Sequence, residues 1–241
     1  MMKKQPAQWL LSAASVGIAG IILTQSYGTA MADTSTEGFV QTPEQKVTTR
    51  QVAALLDRSH YLNQPLDSKM GSEILSMYID SLDPNHTLFL QSDVDEFKKK
   101  YADDFGARLK RGDLSAGVDV FERYRKRSNE YFAMASKMLK TNIDLTGDDT
   151  IVLDREKLPH FKTKKEQQDY WARQLKFQLM SITLGQEDEK AKEEVFLSNP
   201  DITRGQDLVR TDQRTPSEIL QNRLSRQQEQ FKRLTNDEIM E

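Results

Sequence analysis

The sequence predicts a mostly α protein, an irregular multi-helix bundle with one short turn/strand-containing loop near residues 141–162. Three observations carry that expectation. Apolar residues recur at i+3 and i+4 steps along most of the chain, the period of a one-faced helix. Helix-starting chemistry, a hydroxyl or carboxylate ahead of Pro or Glu, stands before several of those stretches. The composition, 29% charged and 37% hydrophobic with 8% aromatic residues, suits solvated helices better than a large compact enzyme.

The elements follow in order. Thr42-Pro43-Glu44 starts a helix on which Val47, Val52, Leu55, Leu56 and Ser59 share one face. Pro65 interrupts it. Asp67 caps a second helix carrying Met70, Ile74, Met77, Tyr78 and Leu82, closed by the turn Asp83-Pro84-Asn85-His86. Ser92 is the expected N-cap of a third, with Asp93 and Asp95 in its favourable first turn. Its stripe is Val94, Phe97, Tyr101, Phe105 and Leu109, and Arg111-Gly112 stops it. Leu114 to Leu139 forms a long helix whose other face holds Arg123, Arg125, Lys126 and Arg127, read as a solvated face. Thr163-Lys164-Lys165-Glu166 is a capping box. The helix behind it buries Tyr170, Trp171, Leu175, Leu179 and Ile182 and stops at Gly185, before a further polar helix from Gln186 to Phe196. Residues 198–215 read as a linker. Thr215-Pro216-Ser217-Glu218 starts a last helix whose thin stripe, Ile219, Leu224, Phe231 and Leu234, predicts Phe231 and Leu234 exposed.

Length and charge bound the function. A chain of 241 residues allows one or two domains. The absence of cysteine excludes disulfides, thiol nucleophiles and Cys-based zinc sites. The net charge of -3 argues against a nucleic-acid partner. At the N-terminus Lys3 and Lys4 precede an uncharged apolar stretch, Trp9 to Thr24, and then Ala30-Met31-Ala32. That is the order of a secretory signal peptide, residues 1–32, cleaved before Asp33. Export implies an oxidising compartment for the mature chain.

Searches for catalytic chemistry return little. No G-x-S-x-G, S-x-x-K, H-E-x-x-H, G-x-G-x-x-G or P-loop occurs. His60, His86 and His160 stand far apart, so a metal site built from them with Asp83 is a minor alternative to turn and cap roles. Asp144, Asp148 and Asp149 lack the order of a calcium loop and read as a self-capping turn. No catalytic, cofactor-binding or metal residues are therefore assigned, and no cofactor is expected.

Several segments together resemble the N-terminal helical domain of the periplasmic tail-specific proteases, also called carboxy-terminal processing proteases. They are Ser59-His60-Tyr61, Tyr78 to His86, Phe89 to Val94, and Arg123-Tyr124 to Arg127. Asp144 to Thr150, Leu153 to Lys157, and Trp171 with Leu175-Lys176-Phe177 continue the series. Their order and spacing, from about residue 44 to 184, carry the resemblance. It implies a longer protein in which a PDZ domain and a Ser–Lys protease domain follow, acting on polypeptides recognised near their C-termini. Neither residue of that dyad can be carried onto this sequence. The resemblance thus implies a non-catalytic helical domain over 33–197 and the start of a helical connection at 216–241. Its partners would be the PDZ and protease domains, polypeptide substrates and a periplasmic adaptor. The uncapped last helix leads to the expectation that the chain is a fragment or a truncated product. The alternatives are a free-standing periplasmic helical binding or adaptor module and an unrecognised hydrolase.

Overall fold

The computed structural model describes residues 41–59, 65–198 and 213–240. The expected signal peptide, His60 and most of the 198–215 linker lie outside them. Among the described residues seven helices and no sheet follow one another: α1 Pro43–Ser59, α2 Ser68–Leu82, α3 Gln91–Tyr101, α4 Phe105–Arg111, α5 Ser115–Met138, α6 Lys164–Ser198 and α7 Pro216–Met240. The capping chemistry works at Asp67, Thr163 and Thr215, whereas Ser92, the expected cap of the third helix, lies inside α3, whose N-cap is Leu90. Asp67 accepts the Met70 amide at 2.9 Å. Thr163 and Glu166 exchange side-chain bonds to each other's amides at 3.2 and 3.3 Å, and Thr215 and Glu218 do the same at 3.2 and 2.8 Å.

Two apolar cores share α5. The first gathers Leu75 and Ile79 of α2, Phe89 of the turn that follows, Val94, Phe97 and Tyr101 of α3, Phe105 of α4, and Ala116 and Val120 at the start of α5. The second gathers Phe132, Ala135 and Leu139 at its end with Leu175 and Leu179 of α6 and Leu220 and Leu224 of α7. Each of the larger side chains contributes about 1.5–3 kcal/mol on burial. Where α2 crosses α4, the backbones touch through two glycines. A Cβ on Gly106 would lie 2.7 Å from the Asp67 carbonyl, and one on Gly71 would run into the Gly106 amide nitrogen. Gly112 ends α4 with φ +76°, a left-handed conformation that glycine adopts freely.

Several expectations are corrected. On α1 the apolar residues face outward: Val52 and Leu55 are 53% and 64% exposed, and only Ala53 is buried. The face turned to the protein is Gln45, Thr49 and Ala53, four residues apart on one side of the helix, where α1 packs on α4. On α2 the fully buried line is Gly71, Leu75 and Ile79; Ile74, Tyr78 and Leu82 pack against the same core from its edge as expected, and Met77 points away. The single helix expected from Ser92 to Arg111 is two, because the chain turns at Ala102–Asp104. Both halves still bury their aromatics, Phe97 and Tyr101 before the turn and Phe105 after it.

In the other direction, Gly185 does not stop α6. It sits within the helix with no atom in contact range of its missing Cβ, so the helix runs on through Gln186 to Ser198. Loop 139–163 holds no strand; its one ladder contact is a parallel bridge between Leu90 and Phe161, and Val152 and Leu153 are exposed. Phe231 is half-buried, packing against Phe132 and Tyr124 with ring centroids 6.0 and 5.7 Å apart. The described chain itself thus covers one side of α7. The Leu234 side chain lies outside the described residues.

Candidate functional site

Asp93 is the most buried carboxylate of the frame, 1% exposed. It is the first-turn acid that the sequence suggests, but a buried one. The helix is capped at Leu90, two residues before the expected Ser92, which makes Asp93 its third residue, the position from which a side chain reaches back to the cap amide. Its Oδ2 accepts the Leu90 amide at 3.0 Å and Arg127 Nε at 2.8 Å, and its Oδ1 accepts Arg127 Nη2 at 3.0 Å. Arg123 Nη1 donates to the same Oδ1. Arg127 turns its remaining nitrogen to Glu130 at 3.0 Å, and Arg123 reaches Glu96 at 3.0 Å. The basic run on α5 is therefore divided. Lys126 is exposed, whereas Arg127 is 6% exposed and closes a two-pronged fork of the kind only arginine makes.

Burial alone would raise the Asp93 carboxyl, but the Arg127 fork, the Leu90 amide and Arg123 outweigh it and hold it below 3.8. Glu130 is held low in the same way, burial being outweighed by Arg127 and Lys164. Carboxyls depressed in the fold stabilise it above their unfolded values and lose that contribution as pH falls through the folded ones. Stability measured by urea unfolding is thus expected to hold from pH 7 to about 5 and to drop below about 4. A profile that stays flat to pH 2.5 would remove the pair from the stability of the fold.

Asp83, 2% exposed, organises the turn after α2. Its two oxygens accept the amides of Thr87, Leu88 and Phe89 at 2.8, 2.9 and 2.8 Å, which steers the chain into the first core. The carbonyls of that same segment face α6: Trp171 Nε1 donates to Thr87 O at 2.9 Å, and Gln167 Nε2 to Leu88 O at 2.6 Å. Trp171 and Tyr170 are core residues, as the sequence suggests.

The structure joins two of the three histidines that the sequence holds apart. The rings of His86 and His160 stack at 4.1 Å and 26°. His86 bonds not to a neighbouring backbone group but to Leu158 O, 72 residues on, with Nδ1 donating at 2.5 Å. Among the described residues no group of three or more His, Cys, Asp or Glu side chains could hold a metal ion. In the 144–149 turn, Asp144 accepts the Thr146 amide and hydroxyl at 2.9 and 2.7 Å, and Asp149 pairs with Lys176 at 2.7 Å.

An open groove of about 410 Å³ lies between α5, α6 and α7 beside Thr87 and Leu88. Tyr131, Phe132, Trp171 and Phe231 give it aromatic walls, and Gln174, Gln178, Gln227 and Gln230 line its rims. Among the described residues no charged side chain borders it.

A seven-helix frame with buried Asp93–Arg127 and Asp83 anchors can be set beside known proteins. The tail specific protease N-terminal domain model matches residues 52–241, nearly all of the described chain. The chain belongs to that family. The tail-specific protease of Haemophilus influenzae (strain Rd) is 35% identical over 141 residues, which cover 58% of this chain and 20% of that protein. The chain thus matches about a fifth of the length of that curated relative. In this tail-specific protease N-terminal domain, the segments 78–86, 89–94 and 123–127 that carry the resemblance are the ones that build the Asp83 and Asp93 anchors. Their signal is architectural. Sequence reasoning missed Asp93, Arg127 and Gln167 as buried polar residues. The available clue was the i, i+4 pair Arg123 and Arg127 on the same helical face as Val120 and Tyr131. No helix among the described residues is long and apolar enough to cross a membrane.

Proposed function

We propose that the chain is the non-catalytic N-terminal helical region of a periplasmic tail-specific serine endopeptidase. Residues 1–32 export it, the helical frame supports a following protease core, and its surface docks polypeptide substrate or an adaptor. The observation that carries this is the family match over 52–241 together with a relative of which the matched stretch is only a fifth. The frame suits support. Buried fork-type ion pairs and carboxylate-anchored turns hold one geometry, as a scaffold for another domain requires.

A chimera tests it. The 141 residues of this chain that align with the Haemophilus influenzae tail-specific protease replace their counterpart there, and cleavage of a polypeptide reporter is followed. The chimera is expected to cleave, and the chain alone is expected not to. A folded, soluble chimera that leaves the reporter intact would sink the supporting role. Cleavage by the chain alone, lost on replacing a single serine, would turn the reading toward a hydrolase.

A further inference from the structure

We propose that the His86–His160 stack is an acid-sensitive clasp, which holds residues 155–161 of the long loop against the α2–α3 turn at neutral pH and loosens its hold in mild acid. The inference is independent of the proposed protease role. Residues 155–161 reach the frame through backbone, ring and cation contacts, among them the Phe161 ring against Tyr170 of α6 with centroids 5.3 Å apart. Phe161 O accepts the Gln91 amide at 2.9 Å, beside the parallel bridge from Phe161 to Leu90. His86 Nδ1 donates to Leu158 O. Arg155 lies over the rings of Phe161 and Tyr170, at 4.0 and 5.2 Å. The imidazole pair is the centre of that set, with His160 only 8% exposed.

The two rings are not equivalent. His86 has an acceptor at each nitrogen, Leu158 O at Nδ1 and Asp80 Oδ1 3.7 Å from Nε2. His160 Nε2 is buried with no hydrogen-bond partner. The nearest carboxylate oxygen, Asp83 Oδ2 at 3.8 Å, already accepts two backbone amides. A proton on His160 would therefore sit in a dry place against a second imidazole, and two imidazolium rings at this separation repel.

The charged and titratable groups around the ring come from each neighbouring element. Asp80 belongs to α2, Asp83 and His86 to the turn, and Lys98 to α3. Burial, then His86, push the His160 ring below 6.5; Asp83 and Asp80 pull it up, and Lys98 opposes them. A histidine depressed in the docked state and ordinary in the released state takes its proton more readily on release. The docking contribution is complete above 6.5 and is lost as pH falls through that value.

The test reads the Gln91 amide, whose acceptor is Phe161 O, by NMR hydrogen exchange on the whole chain. After correction for intrinsic exchange, its protection is expected to fall as pH drops below 6.5, by up to about fivefold between 6.5 and 5.5, and to level off where the docked ring itself titrates. Protection at Ile79, inside α2, is expected to stay unchanged. His160→Phe keeps an aromatic ring on His86 and should flatten the dependence at Gln91. Unchanged Gln91 protection from pH 7.5 to 5.0, or the same fall in His160→Phe, would overturn the clasp. Should that variant unfold, the Cε1 titration of His160 in the unaltered chain decides. A midpoint below that of a histidine in a blocked tripeptide supports the clasp, and one at or above it overturns it.

Discussion

Arg127→Met is expected to lower the unfolding free energy by about 3–5 kcal/mol. The methionine fills most of the volume, so little of the loss is packing. What remains is Asp93, 1% exposed, with two of its donors gone and Arg123 and the Leu90 amide as the survivors. Arg123 is half-exposed and shared with Glu96, so it cannot replace a buried two-pronged partner. The double variant Asp93→Ala, Arg127→Met should cost clearly less than the two single changes added together, because each single change strands a charge that the double change removes. Urea unfolding of the four proteins gives the coupling. A loss below about 1 kcal/mol for Arg127→Met, the size of an exposed pair, would show that water reaches the carboxylate and that the site is not closed.

The second large effect runs against helix propensity. A mid-helix glycine changed to alanine ordinarily gains about 1 kcal/mol. At Gly71 the opposite sign is expected, a loss of about 2–3 kcal/mol, because the new methyl meets backbone of α4 and not a movable side chain. The helices would have to part, and Leu75 and Phe105, which pack beside the crossing, would part with them. Gly185→Ala is the matched control. Its Cβ meets nothing within 4 Å, so the ordinary gain of about 0.5–1 kcal/mol is expected. Thermal unfolding of both variants separates the cases. A stabilised Gly71→Ala would mean that α2 and α4 do not cross through these glycines.

The contrast between these two glycines shows where sequence reading works. Helix starts are local chemistry, so Asp67, Thr163 with Glu166, and Thr215 with Glu218 are legible from four residues each. The mostly helical class follows from the same signals. Which face a helix buries depends on its neighbours. The apolar side of α1 reads as a core face and lies exposed, while a plainer side carrying Gln45, Thr49 and Ala53 meets α4. Gly185 reads as a stop because glycine often is one, yet an isolated glycine in a 35-residue helix costs too little to end it.

The polar anchors were the least legible. Asp93 looks like a helix-dipole acid and Arg127 like one of four basic residues on a wet face. Only the approach of α3 to α5 distinguishes them from Asp95 and Lys126. The His86–His160 pair is invisible for the same reason, since its partners are 74 positions apart and meet through a loop with no regular pattern.

The two cores differ in how much chain must exist before each can close. The first is complete by Val120, and its Asp93–Arg127 lock joins residues only 34 apart, a short loop to close. The second pairs Ala135 with Leu220 and Leu224, so it waits for α7. A polypeptide emerging from its N-terminus would finish one core while the apolar faces of α5 and α6 still lack their cover. During that interval Phe132, Leu175 and Leu179 are the side chains most exposed to wrong partners, and the order of synthesis makes the second core the vulnerable stage of folding.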